Sequence, residues 1–253
     1  MASSAQKTSV CELFIVRHAE RLDEVKGNTW GRGDTRDLWF DPPLTSRGAS
    51  HAGATAQAFK DQVFKGSSGK DGGLDAIYVS PLVRAAQTAA EFSKVLNVPL
   101  KVVPGLSTCA AAVVEERGLI RDSHGNLRLR RSNLPFRSMD QLRGMCEGAE
   151  ILDTNPEEEI SQDFCQQIRE LCEKELKGST PEQPRLHRVM VVAHREGVRD
   201  VSQISQGATI RSTPYCCVAV YRYRKPSGGE GPGIFECKGC ADLVPFTCSK
   251  PLS

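Results

Sequence analysis

Short apolar runs that end at polar or charged residues recur along this chain. Leu13 to Val16 stops at Arg17-His18, Leu74 to Val79 at Ser80-Pro81, Leu100 to Val103 at Pro104, and Val189 to Ala193 at His194. Runs this short, bounded by turn signals, predict buried strands. Between them the spacing changes to that of a helix. Thr45 is a cap for a segment with Ala49, Ala52, Ala56, Phe59 and Val63 on one face, and Ser80 is a cap with Pro81 at the first helical position. That second helix carries Arg84 in its first turn, runs to about Asn97 and is ended by Pro99. A third stripe, Ile160, Phe164, Ile168 and Leu171, predicts a helix over 157–176, with Asn155-Pro156 and three glutamates at its start. Cys216 to Tyr223 and Gly233 to Cys237 flank a Pro/Ser/Gly turn and read as a hairpin.

Strands alternating with helices and followed by a hairpin predict an α/β fold of three layers, helix-sheet-helix, with a mostly parallel sheet and an antiparallel edge. At 253 residues the chain is read as one domain over 1–253. A Gly/Ser/Lys linker covers 65–73, and a basic insertion covers about 117–148. Between Arg117 and Arg143 there are seven arginines against two acids, Asp122 and Asp140. Such a run is ordinarily a solvated loop; placed after the third strand, it would close over a site as a basic lid. Few aromatics accompany it to stack on bases, so no nucleic-acid partner is expected.

Composition narrows function only a little. A formal charge of +2 implies no general affinity for nucleic acid or membranes. The polar stretch Met1 to Val10 lacks the apolar core of a secretion signal, and no run is long enough to cross a bilayer. The expectation is a soluble cytoplasmic protein whose ten cysteines are reduced. Cys237 and Cys240, with Cys248 nearby, supply three thiols where a structural zinc site usually takes four ligands, so no metal is expected.

Candidate chemistry sits where the strands end. Open α/β sheets bind ligands beyond the carboxyl ends of their strands, which is where Arg17-His18, Ser80 to Arg84 and His194 fall. A phosphoryl group needs fixed positive charge and many donors. Arg17 and Arg84 supply both, each as a planar fork. A neutral His18 beside them has a lone pair with which to attack phosphorus, and His194 can donate to the phosphoryl oxygens as charge builds. A lone histidine of this kind is ordinarily a satisfied core residue; two, joined by two arginines, suit a site better.

The run Phe14-Ile-Val-Arg-His-Ala-Glu-Arg, the phrase Asp41-Pro-Pro-Leu-Thr-Ser-Arg-Gly, the block Val79-Ser-Pro-Leu-Val-Arg-Ala-Ala-Gln-Thr-Ala and Val191-Val-Ala-His resemble the histidine phosphatase superfamily, which includes phosphoglycerate mutases and many phosphatases. The matches run in order over about residues 13 to 223. Within the superfamily the motifs are most similar to the phosphatase domain of the suppressor of T-cell receptor signalling proteins. The resemblance implies that His18 is phosphorylated during turnover, that Arg17, Arg84 and His194 complete the phosphate pocket, and that the chemistry needs no metal or cofactor. It makes Arg21 a further phosphate or substrate contact, the alternative being a solvated surface charge. Two departures stand out. Ala19 replaces the usual glycine, and Ser107-Thr108-Cys109 lacks the glutamate that serves relatives as general acid. Glu115 is then the candidate acid, with Glu116 beside it, although adjacent glutamates commonly face water.

The function expected from these features is hydrolysis of phosphomonoesters, on a phosphorylated small molecule or a phosphoprotein. Two alternatives stay open: mutase-like phosphoryl transfer, and a catalytically weak phosphate-binding module that has lost its acid.

Overall fold

A computed structural model describes residues 9–65, 73–107, 136–153, 163–177, 185–225 and 231–245. The first strand, β1 (Val10–Arg17), shows why the sheet is central. Leu13 and Ile15 point to one face and Phe14 and Val16 to the other, and all four are buried. A strand apolar on both faces has to be covered on both. One layer is α1 (Ser46–Val63), α2 (Val83–Leu96) and α3 (Met139–Met145), which bury Ala56, Phe59, Phe92 and Leu142 against Phe14 and Val16. The other is α4 (Phe164–Leu176) and α5 (Arg195–Ile204), which place Ile168, Leu171, Val198 and Val201 against Leu13 and Ile15.

The remaining strands are β2 (Ala76–Val79), β3 (Leu100–Val102), β4 (Ile151–Leu152), β5 (Leu186–Ala193), β6 (Gln206–Gly207), β7 (Val218–Arg224) and β8 (Ile234–Ala241). They form one sheet in the order β4-β3-β2-β5-β1-β7-β8-β6. Pairing is parallel from β4 to β1 and antiparallel at β1/β7 and β7/β8. The three-layer α/β fold, the parallel sheet and the antiparallel hairpin at its side are as expected.

Thr45 caps α1, its side chain accepting from the Gly48 N–H, and Asn97 ends α2 in the left-handed conformation. Two helix starts differ from the sequence reading. Ser80 does not cap α2, which begins at Val83. The free Val83 N–H is taken instead by Asp41 Oδ1 at 2.7 Å, a cap supplied 42 residues away. Helix α4 starts at Phe164, with Asp163 accepting from the Cys165 and Gln166 N–H groups; residues 157–162 of the expected helix lie outside the described residues. Sequence reasoning also passed over α5, β4 and β6. The last two are two-residue strands, too short to carry a period. Gly207 in β6 is required as glycine, since its φ is +95° and a Cβ there would stand 2.6 Å from the Cys237 carbonyl oxygen.

Of the basic insertion, 117–135 lie outside the described residues. Its later part forms α3, begun by a reciprocal capping box between Ser138 and Gln141. Cys237 and Cys240 lie on β8, with the Cys240 thiol against Cys217, and Cys248 lies outside the described residues. Among the described residues no helix is long and apolar enough to cross a membrane.

Candidate active site

Register brings the site together. Arg17 pairs with Ala193 and Val79 with Val192, so the carboxyl ends of β1, β5 and β2 lie side by side. The ladder continues one residue further, with His18 N–H donating to Ala193 O at 3.0 Å and Ser80 N–H to Val192 O at 3.1 Å. His18, His194 and Ser80 are thereby adjacent. The two imidazole rings stand edge to face, 5.4 Å between centroids.

His18 is buried, and its Nδ1 lies 2.7 Å from the Ala19 carbonyl oxygen. A carbonyl only accepts, so this bond puts the proton on Nδ1 and leaves the lone pair on Nε2. Burial first, and then the charge of Arg84, push His18 well below the ordinary imidazole range; Arg17 and Arg21 add to this. His194 is displaced the same way by burial, Arg84 and His18. Its Nε2 meets Ser80 Oγ at 2.9 Å, while its buried Nδ1 has no partner among the described residues. When the Ser80 hydroxyl donates to Nε2, the ring proton sits on Nδ1, ready for an acceptor from outside the chain.

Arg84 occupies the first turn of α2, as its sequence position predicts. Its Nη1 donates to Phe40 O at 3.0 Å, and its carbonyl accepts from Thr88 Oγ1 at 2.7 Å. Thr88 Oγ1 also accepts from Ala19 N–H at 3.0 Å, so one hydroxyl ties the arginine's helix to the residue after the nucleophile candidate. The Ala19 methyl, in place of a glycine, packs against Ala52 and Cys216. Arg17 Nη1 donates to Thr213 O at 2.8 Å, and its buried Nε has no hydrogen-bond partner among the described residues. A buried donor left unmade costs about 1 to 3 kcal/mol, so Arg17 Nε and His194 Nδ1 together suit an anion.

The quoted motif phrases find structural work. Glu20 takes Thr45 Oγ1 at 2.7 Å and the Arg47 guanidinium, which tethers β1's end to α1. Gly48 lets that tether close, because a Cβ there would fall 2.4 Å from the Glu20 carbonyl oxygen. Asp41, 1% exposed, holds Val83 N–H and pairs with Arg137 at 3.3 Å, next to the Phe40 carbonyl that holds Arg84.

A profile of the histidine phosphatase superfamily (branch 1) matches residues 13–203, three quarters of the sequence and every strand end just described. The chain belongs to this superfamily. Among solved structures similar to it are a phosphoglycerate mutase from Bacillus anthracis, 16% identical over 92% of this chain and 93% of that one with a TM-score of 0.49, and the protein histidine phosphatase SixA complexed with tungstate, 18% identical over 89% and 94% with a TM-score of 0.46. A phosphoglycerate mutase from Plasmodium falciparum is 13% identical over 97% and 98%, with a TM-score of 0.41. No curated protein sequence matches the chain significantly.

The structure brings Arg17, His18, Arg84 and His194 into one cluster. Arg21 sits at its edge, close enough for its charge to act on both histidines, but its guanidinium is engaged by Asp23 at 2.8 Å and Glu24 at 3.1 Å. Glu115 and Glu116 lie outside the described residues. Sequence reasoning missed Ser80 as a partner of His194, Thr88, Asp41 and Tyr215. Asp41 and Thr88 fall inside the quoted motif phrases and Ser80 stands at a strand end, whereas Tyr215 carries no such signal.

The histidines make stability depend on pH. Unfolded imidazoles take up protons near pH 6.5, whereas the folded ones stay neutral to well below it. In that window the unfolded chain binds more protons, so stability falls as pH falls, by at most about 1.4 kcal/mol per pH unit for each histidine. Urea unfolding at pH 7.5 and 5.5 is expected to show this loss, and to show a smaller one in His194→Gln. An equal loss in that variant would remove His194 from the account.

Proposed function

We propose that this superfamily member is a phosphatase that hydrolyses phosphomonoesters through a phosphohistidine on His18. The observation that carries the reading is the tautomer of His18: Nδ1–H donates to the Ala19 carbonyl, so Nε2 keeps its lone pair, and burial with the charges of Arg84 and Arg17 holds the ring neutral. Arg17 and Arg84 bind the phosphoryl oxygens, and His194 donates through Nδ1 as negative charge grows on them. Nε2 attacks phosphorus, the ester oxygen leaves with a proton, and water then releases phosphate from the imidazole.

The leaving oxygen's proton is assigned to Glu115. Two described carboxylates near Arg17 suit the task poorly. Glu24 is engaged by Arg21 and the Tyr215 hydroxyl. Glu196 is held below the ordinary carboxyl range, since its own backbone N–H and Arg195 outweigh the opposing effect of burial. The substrate is a phosphorylated small molecule or a phosphoprotein.

Incubation with an aryl phosphate, an alkyl phosphate and a phosphoglycerate tests the reading. Release of inorganic phosphate, with acid-labile phosphate trapped on the protein in a rapid quench, is expected. Transfer to a second phosphoglycerate in preference to water would make the protein a mutase. Phosphate binding without turnover of any ester would make it a binding module.

A further inference from the structure

Arg17 is held by more than its strand. The loop 211–217, which leads into β7, returns to the carboxyl end of β1 and grips this residue from several sides. Arg17 N–H donates to Cys217 O at 3.2 Å, its carbonyl accepts from Cys216 N–H at 3.1 Å, and Nη1 donates to Thr213 O at 2.8 Å. Between Pro214 and Cys217 the chain makes a tight turn, Cys217 N–H donating to Pro214 O at 3.2 Å, with Cys216 at a φ of +56°. That turn presents Tyr215. Its ring lies against the Arg17 guanidinium, 4.1 Å from the central carbon to the ring centroid, and 6.0 Å from the His18 ring.

The far end of the same side chain is also anchored. The Tyr215 hydroxyl donates to Glu24, whose carboxylate pairs with Arg21 Nε at 3.1 Å. A guanidinium has a face and an edge. Here the face is covered by an aromatic ring and Nη1 by a carbonyl, while the buried Nε has no hydrogen-bond partner among the described residues and suits an incoming oxyanion. Arginine on its own would have to lose its rotamer freedom each time it bound phosphate.

We propose that Tyr215 is a positioning residue that fixes the Arg17 guanidinium for phosphate through stacking of its ring. The inference rests on the phosphatase reading. Tyr215 acts through Arg17 and has no part in bond making, so its loss weakens phosphate binding in ground and transition states alike. Removing the stack while leaving the arginine in place is expected to weaken binding roughly tenfold, in line with a partly desolvated cation–π pair.

Vanadate affinity by calorimetry and steady-state kinetics on an aryl phosphate, in wild type, Tyr215→Phe and Tyr215→Leu, make the test. In Tyr215→Leu the vanadate Kd and KM are expected to rise together by roughly tenfold, with kcat little changed. Tyr215→Phe keeps the ring and is expected to bind nearly as the wild type does. A polar replacement, Tyr215→Gln, suits the half-exposed position and repeats the test should the leucine variant fail to fold. Wild-type affinity in the leucine or glutamine variant overturns the proposal, as does an equal loss in the phenylalanine variant or a loss confined to kcat. A wild-type protein that binds no vanadate overturns the phosphatase reading itself, and this inference with it.

Discussion

Replacing His18 with alanine is expected to abolish turnover, by about 10⁴-fold or more, because no other described side chain offers a neutral nitrogen lone pair at this position. The nearest substitute, His194, is committed through Nε2 to Ser80. Acid-labile phosphate trapped during turnover should vanish with the activity. Vanadate should still bind, since Arg17, Arg84 and His194 keep their anchors. The fold should survive, because the backbone bond from residue 18 to Ala193 is independent of the ring. Loss of a buried ring costs stability at pH 7, yet the variant should lose less on acidification, for one imidazole that resists protonation in the folded state is gone. Trapped phosphate persisting in His18→Ala would assign the nucleophile elsewhere.

How far the site was legible depends on what signal each residue carries. Strand ends are visible as apolar runs that stop, and the three that matter stop at Arg17-His18, Ser80 and His194. Because β2, β5 and β1 are neighbours in the sheet, residues far apart in sequence meet at once. Strand order supplies that, and periodicity does not contain it. Ser80 shows the limit most clearly. A serine before a proline and an apolar helix is a cap by every local rule, and the structure uses it on His194 while Asp41 does the capping from another segment. A cap supplied over that separation leaves no local trace. Tyr215 was hidden for a related reason: it sits in the loop before β7, and its contact with Arg17 exists only because β7 runs antiparallel to β1. The start of α4 is placed too early by sequence because three glutamates imitate an acidic first turn, whereas Asp163 begins the helix by accepting from the Cys165 and Gln166 N–H groups.

Arg84→Lys keeps the charge and removes the fork. The guanidinium donates from Nη1 to the Phe40 carbonyl at 3.0 Å and presents its donors as a rigid planar fork, whereas an ammonium at the end of a flexible stem cannot span a carbonyl and a phosphate together. The expected loss in kcat/KM is about 2 to 4 kcal/mol, or roughly 30-fold to 1,000-fold. Arg84 is also the largest charge acting on His18 and on His194, in each case second only to burial. Lysine should preserve that influence, so the acid limb of the pH profile of kcat/KM should stay where it lies in the wild type, below the ordinary imidazole value. Methionine, of similar length and without charge, should lose at least as much activity and also move that limb upward, since both histidines would then protonate more readily. Near-normal kinetics in Arg84→Lys would refute the clamp. A limb that shifts equally in the lysine and methionine variants would show that Arg84 acts on the histidines through packing, and that its charge is not what keeps them neutral.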